Sequence, residues 1–304
     1  YLFLKLARLR ICSDQRECVW LRKGTKVVCT PPLRLTFMQT ANLEPHQIEE
    51  RGRMKAVILA GGFGTRFSEE TLHRPKPMIE IGGQPIIWHI MKGLAHYGIK
   101  EFIICLGYKG YSLKEYFLNY LSHKSDVTVD LGNNSSTFHQ QDTEDWVVSL
   151  IDTGAASMTG GRLRRVRHLL GDEDFLFTYG DSVSDVNVDR LVSFHREKGG
   201  EATMTAVHPH GRFGHIQVSG GRATSFDEKP DSIGGWVNGG YFILNPSVID
   251  LIKDENVAWE AGPLRQLAES GKLHAYEHPG FWACMDTQRD HRHLEELWSG
   301  DAPW

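Results

Sequence analysis

The chain is 304 residues long, with 24% charged and 40% apolar residues and a formal net charge of −4. That balance excludes a strongly basic nucleic-acid binder and an acidic disordered tail, so any phosphate site has to be a local cluster. Three cysteines (Cys12, Cys18, Cys29) precede residue 54 and two (Cys105, Cys284) stand alone after it, which gives neither a disulfide framework nor a zinc spacing and predicts a reducing, cytoplasmic setting.

No run of about 18 apolar residues occurs, and no membrane span is expected. Residues 1–53 open on Tyr1, show no sustained period, and interrupt their short apolar start with Lys5, Arg8 and Arg10 before ending in EERGR ahead of Met54. This is a poor signal peptide. It predicts an upstream or disordered extension, with the functional domain spanning residues 54–304.

From Met54 onward apolar runs and amphipathic stretches alternate. KAVILA (55–60) is stopped by glycines, the pattern of a strand buried on both faces. Residues 85–98 begin at Pro85, put Ile86, Ile87, Ile90, Met91 and Leu94 on one face, and stop at Gly98, as an amphipathic helix does. EFIICLG (101–107) reads as a strand and SLKEYFLNYL (112–121) as a helix. WVVSLID (146–152), a helix near 161–170, DFLFTYGD (174–181), a helix over 188–198 and EATMTAV (201–207) continue the alternation. The order predicts a doubly wound, mostly parallel, Rossmann-like α/β sheet.

Beyond His208 the strands shorten. HIQVSGGRATSFDEKP (215–230) and WVNGGYFILN (236–245) read as antiparallel and glycine-turned, so a smaller antiparallel portion is expected to form the other wall of a cleft. Helices are predicted near 246–252, 258–270 and 286–297.

LAGGFGTR (59–66) follows the first strand. It is not a dinucleotide fingerprint, because Phe67 stands where a third glycine belongs, and it lacks the Gly-Lys-Ser/Thr ending of a P-loop. Backbone N–H groups in such a loop make either a plain turn or an anion-binding concavity. Arg66 and then Lys76, held between Pro75 and Pro77, favour the anion: prolines restrict the lysine's backbone, and arginine grips phosphate bidentately. Asp181 at a strand's end and Asp286 at a helix start suit Mg²⁺, although Asp286 suits a helix N-cap equally and Asp185 could cap the helix after it. Glu228 and Lys229 in FDEKP form either a sugar-phosphate contact or an exposed ion-paired turn, and Asn238 beside Gly239 allows backbone to approach a hexose. Neither an HExxH helix nor a GxSxG elbow occurs.

In their order, LAGGFGTR, PKPMIEIGGQPIIWHIM, IDTG, SMTGGRLRRV, YGD, EKP, NGG and HPGFWACMDT resemble the sugar-phosphate nucleotidyltransferases across residues 54–304. The narrower likeness is to members that join CTP and glucose 1-phosphate into CDP-glucose and diphosphate with Mg²⁺, towards the deoxysugars of O-antigen lipopolysaccharide. By this resemblance Leu59, Ala60, Gly61, Gly62, Gly64, Thr65, Arg66, Lys76, Ser157, Gly160, Gly161, Arg162 and Gly180 hold the nucleotide. It further implies Glu228, Lys229, Asn238 and Gly239 at the sugar phosphate, Asp181 and Asp286 on the metal, and Arg66, Lys76 and Asp181 in catalysis. It also implies a homo-oligomer, with neither nucleic acid nor membrane as partner. Ser182 departs from the glycine expected after the metal aspartate and is expected to narrow the pocket slightly. UDP-, dTDP- or ADP-glucose synthesis, or a silent nucleotide-sugar sensor, are the alternatives.

Overall fold

The computed structural model describes residues 54–64, 71, 74–139, 143–209 and 235–304, together with the backbone of strands at 19–22, 25–28, 215–219 and 222–227. The chain divides into two units, Tyr1–Leu43 and Glu44–Trp304. In the first, β1 (Val19–Arg22) pairs antiparallel with β2 (Thr25–Val28), a pairing that no periodicity in that stretch announces.

In the second unit, β3 (Lys55–Ala60) is followed by a 3-10 turn at Lys76–Met78, the two-residue pair β4 (Glu80–Ile81) and β5 (Gln84–Pro85), and helix α1 (Ile86–His96). Then come β6 (Glu101–Leu106), α2 (Gly110–Leu118), α3 (Tyr120–Lys124), the hairpin β7 (Asp126–Asp130) and β8 (Ser135–His139), and β9 (Val147–Asp152). Next are α4 (Thr159–Arg165), β10 (Phe175–Tyr179), β11 (Ser182–Ser184), α5 (Val188–Lys198) and β12 (Ala202–Val207). The chain closes with β13 (His215–Ser219), β14 (Arg222–Asp227), β15 (Val237–Leu244), α6 (Pro263–Glu269), β16 (Leu273–His278), β17 (Trp282–Cys284) and α7 (Gln288–Trp298).

Seven strands form one sheet in the order β16-β12-β15-β10-β3-β6-β9. All run parallel except β15, which lies antiparallel between β10 and β12. The doubly wound, mostly parallel expectation therefore holds, with one difference. WVNGGYFILN does not join a separate antiparallel portion, because Tyr241 to Leu244 are consecutively buried and such a run is stable only where both faces of a sheet are covered. The β13–β14 hairpin does form its own two-stranded sheet. The β7–β8 hairpin, with β7 exposed along its whole length, and the edge strand β16 were not foreseen.

The core follows the period of two along each strand. Ala56, Ile58 and Ala60 of β3 point into one apolar layer, with Ile104 and Leu176, whereas Val57 and Leu59 point into the other, with Phe177, Phe242 and Trp259. Phe177 is fully buried, its ring 5.4 Å from Phe242 and 5.9 Å from Trp259. Phe177→Ala is expected to cost about 3–5 kcal/mol, because aromatic burial is lost and the cavity closes only in part. Urea unfolding measures this; a loss below about 1 kcal/mol would show that the layer collapses over the void.

After β3 the chain builds β6 and β9 on one side and then returns to place β10 on the other. The crevice beyond the carboxyl ends of β3 and β10 is thus the switch point where such sheets receive ligands. Gly180 serves this crossing: a Cβ there would lie 2.6 Å from the Leu59 carbonyl oxygen. Among the described residues no helix is long and apolar enough to cross a membrane.

Candidate active site

A cavity of about 540 Å³ opens at the switch point. The ends of β3 and β10, the 3-10 turn, the segment 155–159 leading into α4, and residues 258, 260 and 286 line it. Leu59, Ala60, Gly61, Gly62, Gly64, Lys76, Ser157, Arg162, Gly180, Asp181 and Asp286 all reach this wall.

Lys76 Nζ lies 2.7 Å from Asp181 Oδ2 and 2.6 Å from Asp286 Oδ1. Three distant points of the chain therefore meet at one ammonium. Pro75 is extended before the turn and Pro77 is buried within it, which fixes the lysine's backbone. The carboxylates converge through a short ladder: β11 pairs with β17, Ser182 opposite Cys284, and Met285 N–H donates to the Asp181 carbonyl at 2.8 Å. Burial disfavours a charged Lys76, which is 11% exposed, but the two carboxylates outweigh it and hold its pKa above the usual 10.5.

Asp286 is not the helix cap. Thr287 caps α7, its side chain accepting from Asp290 N–H in a capping box, and the Asp286 carboxylate is turned to Lys76 instead. Asp185 is likewise not a cap: Asn187 accepts from Arg190 N–H at the start of α5, and Asp185 Oδ1 sits 2.8 Å from His278 Nε2.

A family model described as Nucleotidyl transferase matches residues 55–283. The chain belongs to the nucleotidyl transferase family. It is 56% identical over 253 residues to the glucose-1-phosphate cytidylyltransferase of Salmonella typhi, covering 83% of this chain and 98% of that protein. It is 44% identical to a probable glucose-1-phosphate cytidylyltransferase of Bacillus subtilis, over 83% of this chain and 99% of the relative. Among solved structures, a UDP-glucose pyrophosphorylase complexed with UDP-glucose superposes with a TM-score of 0.59 at 18% identity, covering 81% of this chain and 98% of that one. HddC from Yersinia pseudotuberculosis gives 0.58 at 19%, over 81% and 99%; at such identities the likeness concerns the fold.

Within this nucleotidyl transferase the remaining candidates separate. Arg162 lines the cavity, yet the residue is only 4% exposed and its guanidinium donates to carbonyl oxygens of Gly61 (2.9 Å), Leu106 (3.0 Å), Gly154 (2.8 Å) and Ala155 (3.3 Å) and to Thr153 Oγ1 (2.9 Å). It ties the glycine loop to the turn after β9. Gly61 has to be glycine because its Cβ would fall 2.1 Å from the Arg162 nitrogen. Gly160 and Gly161, expected at the nucleotide, lie behind the wall: Cβ atoms there would come 2.6 Å from the Val257 oxygen and 2.2 Å from the Glu255 oxygen, so they let α4 pack on that loop.

Asn238 stands next to the cavity and donates to Tyr179 Oη at 3.3 Å, while Gly239 is buried, its carbonyl accepting from Trp282 Nε1 at 2.7 Å. Ser182 is 2% exposed and does not line the cavity, so it does not narrow it. Thr65, Arg66, Glu228 and Lys229 lie outside the described residues. Sequence reasoning missed Tyr179 and Glu260, both in the wall and bonded to each other at 2.5 Å. The position of Tyr179 just before Gly-Asp at a strand's end was a usable signal; AWEAGP offered none for Glu260.

Nucleotidyl transferases of this family generally depend on a divalent metal. The described wall fits one. It carries two cations, Lys76 and the inward-turned Arg162, against three carboxylates, Asp181, Glu260 and Asp286, so an anionic guest needs further positive charge. Asp181 and Asp286 present hard oxygen donors to a common point, both 2.7 Å or less from Lys76 Nζ, and among the described residues no cysteine or histidine lines the cavity beside them.

Proposed function

We propose that this nucleotidyl transferase is a glucose-1-phosphate cytidylyltransferase, converting CTP and α-D-glucose 1-phosphate into CDP-glucose and pyrophosphate with Mg²⁺. The observation that carries this reading is the 56% identity to the Salmonella typhi relative across 98% of its length. CDP-glucose so made would feed deoxysugar synthesis for surface polysaccharide, and a homo-oligomer belongs to the same reading.

A sugar phosphate is largely a dianion at neutral pH, its second pKa being about 6, so its oxygen attacks without a general base. In the proposed step that oxygen forms a bond to the α-phosphorus of CTP. The bond from that phosphorus to the bridging oxygen breaks, and pyrophosphate leaves with the electron pair. The difficulty is electrostatic: two like unit charges about 4 Å apart repel by roughly 4 kcal/mol at an effective dielectric near 20. The glycine loop offers its N–H groups to the triphosphate, Lys76 and Arg66 neutralise it, and Arg162 keeps the loop in place. Glu228, Lys229 and Asn238 are assigned to the sugar phosphate. Asp181 and Asp286 would hold Mg²⁺, which when bound supplies charge neutralisation at the phosphate oxygens.

Lys76→Ala is expected to slow single-turnover formation of the nucleotide sugar about 10²-fold or more, since one pre-placed charge at the reacting phosphates is lost. An unchanged single-turnover rate would remove Lys76 from the chemistry. The overall reading is tested by pyrophosphate release with glucose 1-phosphate and each of CTP, UTP, dTTP, ATP and GTP. Strong preference for CTP supports it, another preferred nucleotide overturns the base, and no release with any overturns the enzyme.

A further inference from the structure

The wall of this cavity carries a carboxylate whose presence is electrostatically costly, because both proposed substrates are polyanions. Glu260 is exposed on that wall and holds a directed chain of hydrogen bonds. Asn238 Oδ1 accepts from Gly240 N–H at 2.8 Å, which fixes the amide so that Nδ2 donates to Tyr179 Oη at 3.3 Å. The phenol therefore spends its hydrogen on Glu260 Oε1 at 2.5 Å. From the other side Thr159 Oγ1 accepts from Trp259 N–H at 2.9 Å, and its own hydrogen goes to Glu260 Oε2 at 2.7 Å. A carboxylate only accepts, so both hydroxyls are forced to point at it. The chain runs from β15 to the first residue of α4, across the wall between them.

We propose that Glu260 and Tyr179 are positioning residues that hold the Asn238 amide in one orientation for the sugar phosphate and couple that orientation to the nucleotide side through Thr159. The inference rests on the reading above, in which Asn238 faces the sugar. The two bonds leave Asn238 one amide hydrogen and one Oδ1 lone pair among the described residues, a donor and an acceptor for vicinal hydroxyls. Without the phenol hydroxyl the amide keeps its Gly240 contact and loses its second anchor. Affinity for the sugar and discrimination between epimers fall, while triphosphate contacts on the glycine loop persist.

The test is steady-state kinetics of the full chain carrying Tyr179→Phe or Glu260→Gln, with the parent measured alongside on glucose 1-phosphate and galactose 1-phosphate. Each variant is expected to raise KM for the parent's preferred sugar phosphate about tenfold, the value of one directed hydrogen bond, with KM for the nucleotide unchanged within about twofold. The ratio of kcat/KM between the two sugar phosphates is expected to shrink by a similar factor, a change that general loosening would not produce. Equal effects on both substrates, or an unchanged sugar KM and epimer ratio, would overturn the proposal. If Tyr179→Phe fails to fold, Glu260→Gln, at an exposed position, decides alone. A parent that prefers another sugar phosphate overturns the glucose reading but lets the same KM split be read on that sugar; a parent inactive on every pair overturns both.

Discussion

Asp181→Asn is expected to lower turnover about 10³-fold, comparable to losing a major electrostatic contact in a transition state, while the melting temperature moves by no more than a few degrees. The asymmetry follows from where the carboxylate stands. Its side chain is 33% exposed at the mouth of the cavity, and its described bond is to Lys76, not to the core. Asparagine fills the same volume and still accepts a hydrogen bond, so packing is preserved. What disappears is one of the two negative charges, of Asp181 and Asp286, that converge on Lys76, and with it charge available to a divalent cation. Lys76, then paired with Asp286 alone, is also placed less firmly. The measurement is pyrophosphate release over a Mg²⁺ titration, paired with direct Mn²⁺ binding. Parental turnover with an unaltered Mg²⁺ dependence would remove Asp181 from the metal site.

Arg162→Ala is expected to act mainly on stability, costing about 2–4 kcal/mol, since a buried side chain is lost and some of its acceptors are left unpaired. Four carbonyl oxygens and one hydroxyl around the guanidinium lose a donor; Gly61 and Leu106 keep backbone donors, from Tyr108 N–H at 3.2 Å and Thr153 N–H at 3.0 Å, so the cost comes from the buried Thr153 hydroxyl, the half-buried Gly154 carbonyl and the void left by the side chain. The melting temperature should fall by about 10 °C for a unit of this size. Arg162→Lys should recover little, because an ammonium has three donors at one point and cannot span carbonyls that the planar fork reaches from two sides. Binding of the nucleotide should weaken in parallel, since the Gly61 carbonyl is the loop's tether. Calorimetry of both variants checks this. A stable alanine variant with weakened base discrimination would show instead that Arg162 contacts the nucleotide directly.

These expectations differ from those available before the structure. Strand and helix periods, the glycine loop, the Pro-Lys-Pro turn and the two terminal aspartates were legible because each is written in a few adjacent residues. β3, β6, β9, β10 and α5 lie where the patterns put them. The separate antiparallel wall did not survive for β15, as local glycine content says nothing about which neighbours a strand will find. Asp286 was ambiguous for a related reason: an aspartate beside a helix start has the same local signature whether it caps or faces a ligand, and only Thr287 taking the cap excluded the first.

The sequence by itself determined the alternation of elements, the family, and the candidate residues for phosphate and metal chemistry, since side-chain type and short-range period are local properties. Tertiary structure alone decided that Lys76, Asp181 and Asp286 share one point although 105 and 210 residues separate the lysine from its partners. It also turned Arg162 inward onto carbonyl oxygens and joined Asn238, Tyr179 and Glu260 in one chain. Pairings over such distances are set by which surfaces are buried together when the sheet closes, and that depends on the whole chain at once.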